Sequence, residues 1–367
     1  MTKHRKEDPV DRRQDMATDF GGGHVRRARV AMLALALVAV AVGAAVGQSE
    51  SSAPPEARPG SPSAATPLVV GLGYIPSVQF AQFYLAEEAG YYDEAGLDVT
   101  FENKIDPELI TLLGQGAIYI GMADGTSLIP AVSQGIPVVY GAAVYARFPN
   151  VVFARADSDI ESIADLAGKR IGIPGRFGSS WIMLQALLGA AGLSLEDVEI
   201  VPYPHFGQGI AVAERQVDAA TGFANNEPVQ LQRAGVDVRV LRVDDVAPLP
   251  GPGLALGRQT LADKGDAVRA FTAATIRAME EIIADPQRGL DATFARVPEL
   301  AGDPDTQRAI LEATIDAWQN EFTAEHGLGS VDREVWQSAL GIMGALPEGA
   351  VSGSLTVDDL ITDELVG

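Results

Sequence analysis

Residues 73–99 read GYIPSVQFAQFYLAEEAGYYDEAGLDV, between the apolar run Leu68-Val-Val-Gly-Leu72 and a second one, Leu97-Asp-Val-Thr-Phe101. The pattern predicts a buried strand over 68–75, an amphipathic helix over 81–96 that stops at a glycine, and a second strand over 97–103. The same alternation continues outward. PELITLLGQGAIYIGMA (107–123) reads as helix, turn and strand, GTSLIPAVSQG (125–135) as helix, and IPVVYGAAVY (136–145) as strand. A second set begins at Val151: strands at 151–158, 169–175, 198–204, 217–223 and 238–243, with helices at 162–168, 179–192, 209–216 and 227–235 between them. Strands and helices alternating with short Gly or Pro punctuation indicate an α/β fold with mostly parallel sheets covered on both faces. A Pro- and Gly-rich link, DDVAPLPGPG (244–253), precedes a largely helical region with apolar spacing of three and four over 263–285, 304–321 and 332–344.

Two blocks of similar plan suggest two lobes: 68–147 with 254–345, and 148–253, followed by a tail, 346–367. Hinge strands near 146–150 and 246–254 would join them, and a ligand would sit where the carboxyl ends of the strands face each other.

Composition removes several function classes. The 367 residues carry a net charge of −22, divided as +3 over residues 1–47 and −25 over the rest. So acidic a surface does not suit nucleic acid, whose phosphates need clustered Lys and Arg. Absence of cysteine excludes disulfides, Cys-bound metal and thiol catalysis. The four histidines, His4, His24, His205 and His326, form no pair with ligand spacing. No nucleophile elbow, phosphate loop or dinucleotide fingerprint occurs, and no cofactor is expected. At the N-terminus HVRRAR (24–29) precedes VAMLALALVAVAVGAAVG (30–47), a basic segment before an apolar core. This predicts export through a signal peptide or a membrane anchor within 1–47, with contact to a membrane only there. Residues 48–67, QSESSAPPEARPGSPSAATP, read as a disordered linker.

The opening stretch, DIESIADLAGKRIGIP (159–174), the Gly178-Ser-Ser180 helix start and RQVDAATGFANNEP (215–228) together resemble the periplasmic substrate-binding proteins of ABC importers. The resemblance covers about 68–345 and is greatest to the branch with riboflavin, thiamine-pyrimidine-precursor and sulfonate or nitrate binders. It implies a type II periplasmic-binding-protein fold that closes on a small solute and delivers it to a membrane permease. Pyrimidine synthases resembling these binders use a first-loop histidine, a lysine-bound pyridoxal phosphate and a Cys-rich iron motif. Phe80 stands at the histidine's place here, and cysteine is absent. Gln48 stands where lipoprotein relatives carry their anchoring Cys.

Within that frame the aromatic run acquires a purpose. Tyr74, Phe80 and Phe83 would stack on a planar ligand from the cleft floor, although a Phe in this helix can equally pack it onto the sheet. Gln79 offers a donor and an acceptor to a heterocycle's amide edge. Gly178, Ser179 and Ser180 open a helix whose free amides favour an acceptor or anion, or simply cap it, and Trp181 is a second wall or a core residue. Phe223, Asn225 and Glu227 follow a strand end, where a carboxylate could take a hydrogen bond from a pyrimidine amino group or cap a helix. Asp124 is a similar strand-end carboxylate, and Tyr145 is cleft wall or hinge packing. The expected solute is a flat heteroaromatic vitamin or precursor. Sulfonate or nitrate is the alternative, for which Arg147 and Arg176 are the nearby cations.

Overall fold

The computed structural model describes residues 65–105, 108–346, 351 and 354–366. The expected leader or anchor (1–47) and the linker as far as residue 64 lie outside the described residues. The strands are β1 (Thr66–Leu72), β2 (Leu97–Asn103), β3 (Ile120–Asp124), β4 (Val138–Ala143), β5 (Asn150–Arg155), β6 (Arg170–Ile173), β7 (Glu199–Pro202), β8 (Ala219–Phe223), β9 (Val238–Arg242) and β10 (Pro252–Gly257). They form two five-stranded sheets of one plan, ordered β2-β1-β3-β10-β4 and β7-β6-β8-β5-β9. We call the bodies built on them the first and second lobes.

Each sheet is mixed, and the reason is the path of the chain. In the first sheet β1 pairs in parallel with β2 and β3, while β10 runs antiparallel to β3 and β4. In the second, β6 pairs in parallel with β7 and β8, and β5 is antiparallel to β8 and β9. The reversed strand is in each case the one by which the chain enters from the other lobe. A chain leaving β4 or β9 at its carboxyl end crosses the cleft, so its next strand must start at the cleft and run away from it. Asn150 accordingly pairs with Phe223, and Pro252 with Asp124, each first residue beside a last one.

Four sequence expectations change. β1 starts at Thr66, two residues inside the predicted linker, where it pairs with Leu97. The predicted helix over 81–96 is two helices, Ala81–Glu88 and Tyr91–Glu94, because Gly90 takes a left-handed φ of 75° between them. The first is also not amphipathic: Ala81 to Ala86 are all buried, since it lies under Arg258–Ala284 and Pro286–Arg296. Finally, β10 falls in a stretch read as link and helix. All six of its residues are buried, but two of them are Gly and one is Pro, so the strand signal is masked by breaker residues.

The C-terminal residues 354–366 complete the first sheet. Tyr140 N donates to Leu360 O and Thr362 N to Tyr140 O, both at 2.9 Å, and Leu365 packs over Gly141. This covers the β4 edge, which would otherwise present unpaired backbone groups. Among the described residues no helix is long and apolar enough to cross a membrane.

Candidate functional site

The carboxyl ends of both sheets face one cleft that encloses about 880 Å³, including space open to solvent at its mouth. Its walls are aromatic from both sides. Tyr74, Phe80 and Tyr145 come from the first lobe, and Phe177, Phe206 and Phe223 from the second. Tyr74 and Phe206 meet across the gap edge to face, with centroids 4.9 Å apart at 77°. Tyr145 and Phe223 approach at 6.5 Å and 70°. Phe206 holds this place with a φ of 58°, a left-handed conformation that a bulky residue adopts only where its surroundings impose it.

Polar groups cluster at two poles between the rings. At the first, the Asp124 Oδ2 carboxylate oxygen at the end of β3 accepts a 2.6 Å hydrogen bond from the Ser179 hydroxyl of the opposite lobe. Its Oδ1 is out of solvent contact and has no partner. Burial pushes the Asp124 carboxyl up to about 6, against the lowering effect of the Ser179 bond. Ser180 donates to Asn150 Oδ1 at 3.1 Å beside it. At the second pole Glu227 receives the Phe223 amide at 2.9 Å and Gln208 Nε2 at 3.3 Å. Burial raises this carboxyl to about 7, the Phe223 amide opposing. The Tyr74 hydroxyl, hydrogen-bonded to Asn226, is held above its ordinary value first by burial and then by the Glu227 charge.

Beneath the cleft Asn225 ties the lobes together. Its buried Nδ2 lies 3.0 Å from Gln79 Oε1, 3.2 Å from the Tyr145 hydroxyl and 2.8 Å from Thr314 Oγ1, all on the first lobe. Gln79 in turn donates to Ser77 Oγ at 3.1 Å.

Ten of the residues singled out in the sequence line this cleft: Tyr74, Gln79, Phe80, Asp124, Tyr145, Gly178, Ser179, Ser180, Phe223 and Glu227. Three do not. Phe83 is fully buried, stacked on Phe271 at 6.1 Å and 15°, because it lies on the core side of its helix. Trp181 is core beneath the helix start, with the Arg176 guanidinium 5.2 Å over its ring. Asn225 acts behind the wall rather than in it. Arg147, the other cation considered, donates to Gln319 O and faces a separate cavity behind the crossings. The sequence reading missed Phe177, Phe206, Gln208 and Asn226. Phe206 carried no Gly or Asn signal for its left-handed backbone. Asn226, named only as part of its cluster, precedes the helix Glu227–Arg233 without capping it; its Oδ1 accepts from Gln230 Nε2 at 2.7 Å, and its side chain also reaches the Tyr74 hydroxyl.

Among the described lining residues there is no Lys, Arg or His, while there are two carboxyls. Such a cleft favours an uncharged, flat guest with N–H or O–H groups to donate, and disfavours an anion.

Two sheets of one plan, two crossings and a ring-walled cleft at the strand ends define the two-lobed fold of the periplasmic solute-binding proteins. The family model described as NMT1/THI5 like matches residues 77–289, and the chain belongs to this family, with a solute-binding role. It is 36% identical over 303 residues to a riboflavin-binding protein of Chloroflexus aurantiacus, covering 82% of this chain and 86% of that one. A formylaminopyrimidine-binding protein of Halalkalibacterium halodurans is 27% identical, over 74% of this chain and 82% of its own. A 4-amino-5-hydroxymethyl-2-methylpyrimidine phosphate synthase of Saccharomyces cerevisiae is 26% identical, over 63% and 72%. Among solved structures, the alkanesulfonate-binding protein of Xanthomonas axonopodis pv. citri bound to MOPS superposes with a TM-score of 0.64 at 18% identity, over 81% of this chain and 99% of that one. That likeness concerns the fold.

Proposed function

We propose that this protein is the extracytoplasmic solute-binding component of an ABC importer and that its solute is riboflavin. One observation carries the ligand: aromatic rings of both lobes face each other across a cleft whose only ionisable lining groups besides tyrosine, among the described residues, are the carboxyls of Asp124 and Glu227. An isoalloxazine-like ring system is flat, uncharged and edged with donors and acceptors, which matches rings for its faces and Gln79, Asn226 and Glu227 for its edges. The similarity to the Chloroflexus riboflavin-binding protein supports the same ligand. A thiamine pyrimidine precursor is the second reading, favoured by Glu227 and Asn226 as partners for an exocyclic amino group and by the Halalkalibacterium relative.

The mechanism follows from the crossings. The lobe built on β1–β4 and β10, completed by residues 354–366, and the lobe built on β5–β9 hinge about the segments between β4 and β5 and between β9 and β10. Solute bridges them, water leaves, and the closed form is what a permease recognises. The protein is exported, and residues 30–47 serve as its signal core or its anchor. It acts as a binder, not a catalyst: Phe80, at the place of the synthases' histidine, is buried in the wall with an apolar ring, and the chain has no cysteine for an iron motif.

A thermal-shift screen of the full chain against riboflavin, aminopyrimidines, thiamine, taurine and nitrate tests this. Riboflavin at about 100 times its Kd should add about 2.7 kcal/mol of stability, and taurine and nitrate should add none. A shift with taurine or nitrate but none with riboflavin would reject the proposal.

A further inference from the structure

The pole at Asp124 is built like an anion site that already holds its anion. Asp124 immediately precedes the helix Gly125–Ser133 yet makes no capping hydrogen bond to it. Its carboxylate turns instead to Ser179, in the first turn of the helix Gly178–Ala190 on the other lobe. Two helix N-termini therefore meet at one side chain, each equivalent to about half a positive charge, an arrangement that draws negative charge. Gly178 enters this junction with a φ of 67°, and the Ser127 hydroxyl of the first helix lies next to it, 4.0 Å from where a Cβ would stand.

We infer that Asp124 is the specificity residue that closes the cleft to anionic solutes, its own carboxylate occupying the place a sulfonate or phosphate group would take. The inference rests on the cleft being the solute site. An incoming anion meets the Asp124 charge with no lining Lys, Arg or His to offset it among the described residues. Like charges brought together in a desolvated site are strongly disfavoured. A neutral solute meets the opposite: the unpartnered Oδ1 is an acceptor waiting for an N–H or O–H. The same residue thus repels one class of guest and receives the other, without any change of fold from relatives that bind sulfonates.

The test is calorimetric titration of the full chain with methanesulfonate, and separately with riboflavin. Wild-type protein should show no saturable methanesulfonate binding, and Asp124→Ser, which removes the charge and empties the place its carboxylate fills, should bind it about 100-fold or more tightly than wild type. Asp124→Ala gives the same readout should the serine variant not fold. Saturable methanesulfonate binding by the wild type, or a folded variant with no gain, overturns the inference. The riboflavin titration separates the two readings. A gain in methanesulfonate affinity with no riboflavin binding would sustain the role of Asp124 and reject the flavin, and riboflavin binding with no gain would do the reverse.

Discussion

Glu227→Gln should stabilise the unliganded protein by about 3 kcal/mol at pH 8 and by little at pH 4.5. Glu227 is buried, and that burial lifts its carboxyl from 4.5 to about 7. Between those values the native state holds a proton that the unfolded chain has released. Stability therefore falls as pH rises from 4.5, and the loss is complete above about 7. An amide carries no such burden. Its nitrogen would meet the Gln208 side chain, whose Oε1 has no partner and can accept once that amide turns over, at the cost of the 3.3 Å bond from Gln208 Nε2 to Thr221 O. Asp124, raised from 3.8 to about 6 chiefly by burial, adds a second contribution of the same sign. The wild type should thus be more stable at pH 5 than at pH 8. Urea unfolding of both proteins at the two pH values checks this, and an equal difference at both would show that Glu227 titrates alike in the folded and the unfolded chain.

Asn225→Ala should lower solute affinity by about 30- to 100-fold, the equivalent of about 2–3 kcal/mol taken from the closed form. The side chain is 2% exposed and donates to Gln79, Tyr145 and Thr314 only when the lobes meet. Its loss removes two N–H donors shared among three buried oxygens in the closed state and leaves an open state, where water serves them, unaffected. The population therefore shifts toward open, and the apparent Kd rises by the reciprocal of the closed fraction. Small-angle scattering of the unliganded variant should show a larger radius of gyration than wild type. An unchanged Kd would mean that closure draws its energy elsewhere, with the Tyr74–Phe206 ring contact the next place to look.

The fold was largely legible because its signal is periodic. Val69-Val70, Val138-Val139 and Val151-Val152 announce buried strands, and the glycines between them mark the turns. What stayed hidden was decided by tertiary context. β10 is a strand only because β3 and β4 flank it, for nothing in Pro252-Gly-Leu-Ala-Leu-Gly257 demands one. The site was legible where chain position suffices: strand ends at Asp124 and Phe223, and the helix start at Ser179, reach the cleft whatever their rotamers. It failed where orientation decides. Phe80 and Phe83 are three residues apart, yet one lines the cleft and the other faces Phe271. Phe206 became visible only through a backbone conformation that its sequence does not favour.

The central claim, that rings from both lobes clasp a flat neutral guest, is tested most directly by titrating riboflavin with the full chain and following flavin fluorescence. The account predicts quenching that saturates at one protein per flavin and weakens markedly in Tyr74→Ala, with Phe83→Leu quenching as wild type does. Unquenched flavin at saturating protein, or a Tyr74→Ala variant that quenches with wild-type affinity, would contradict it.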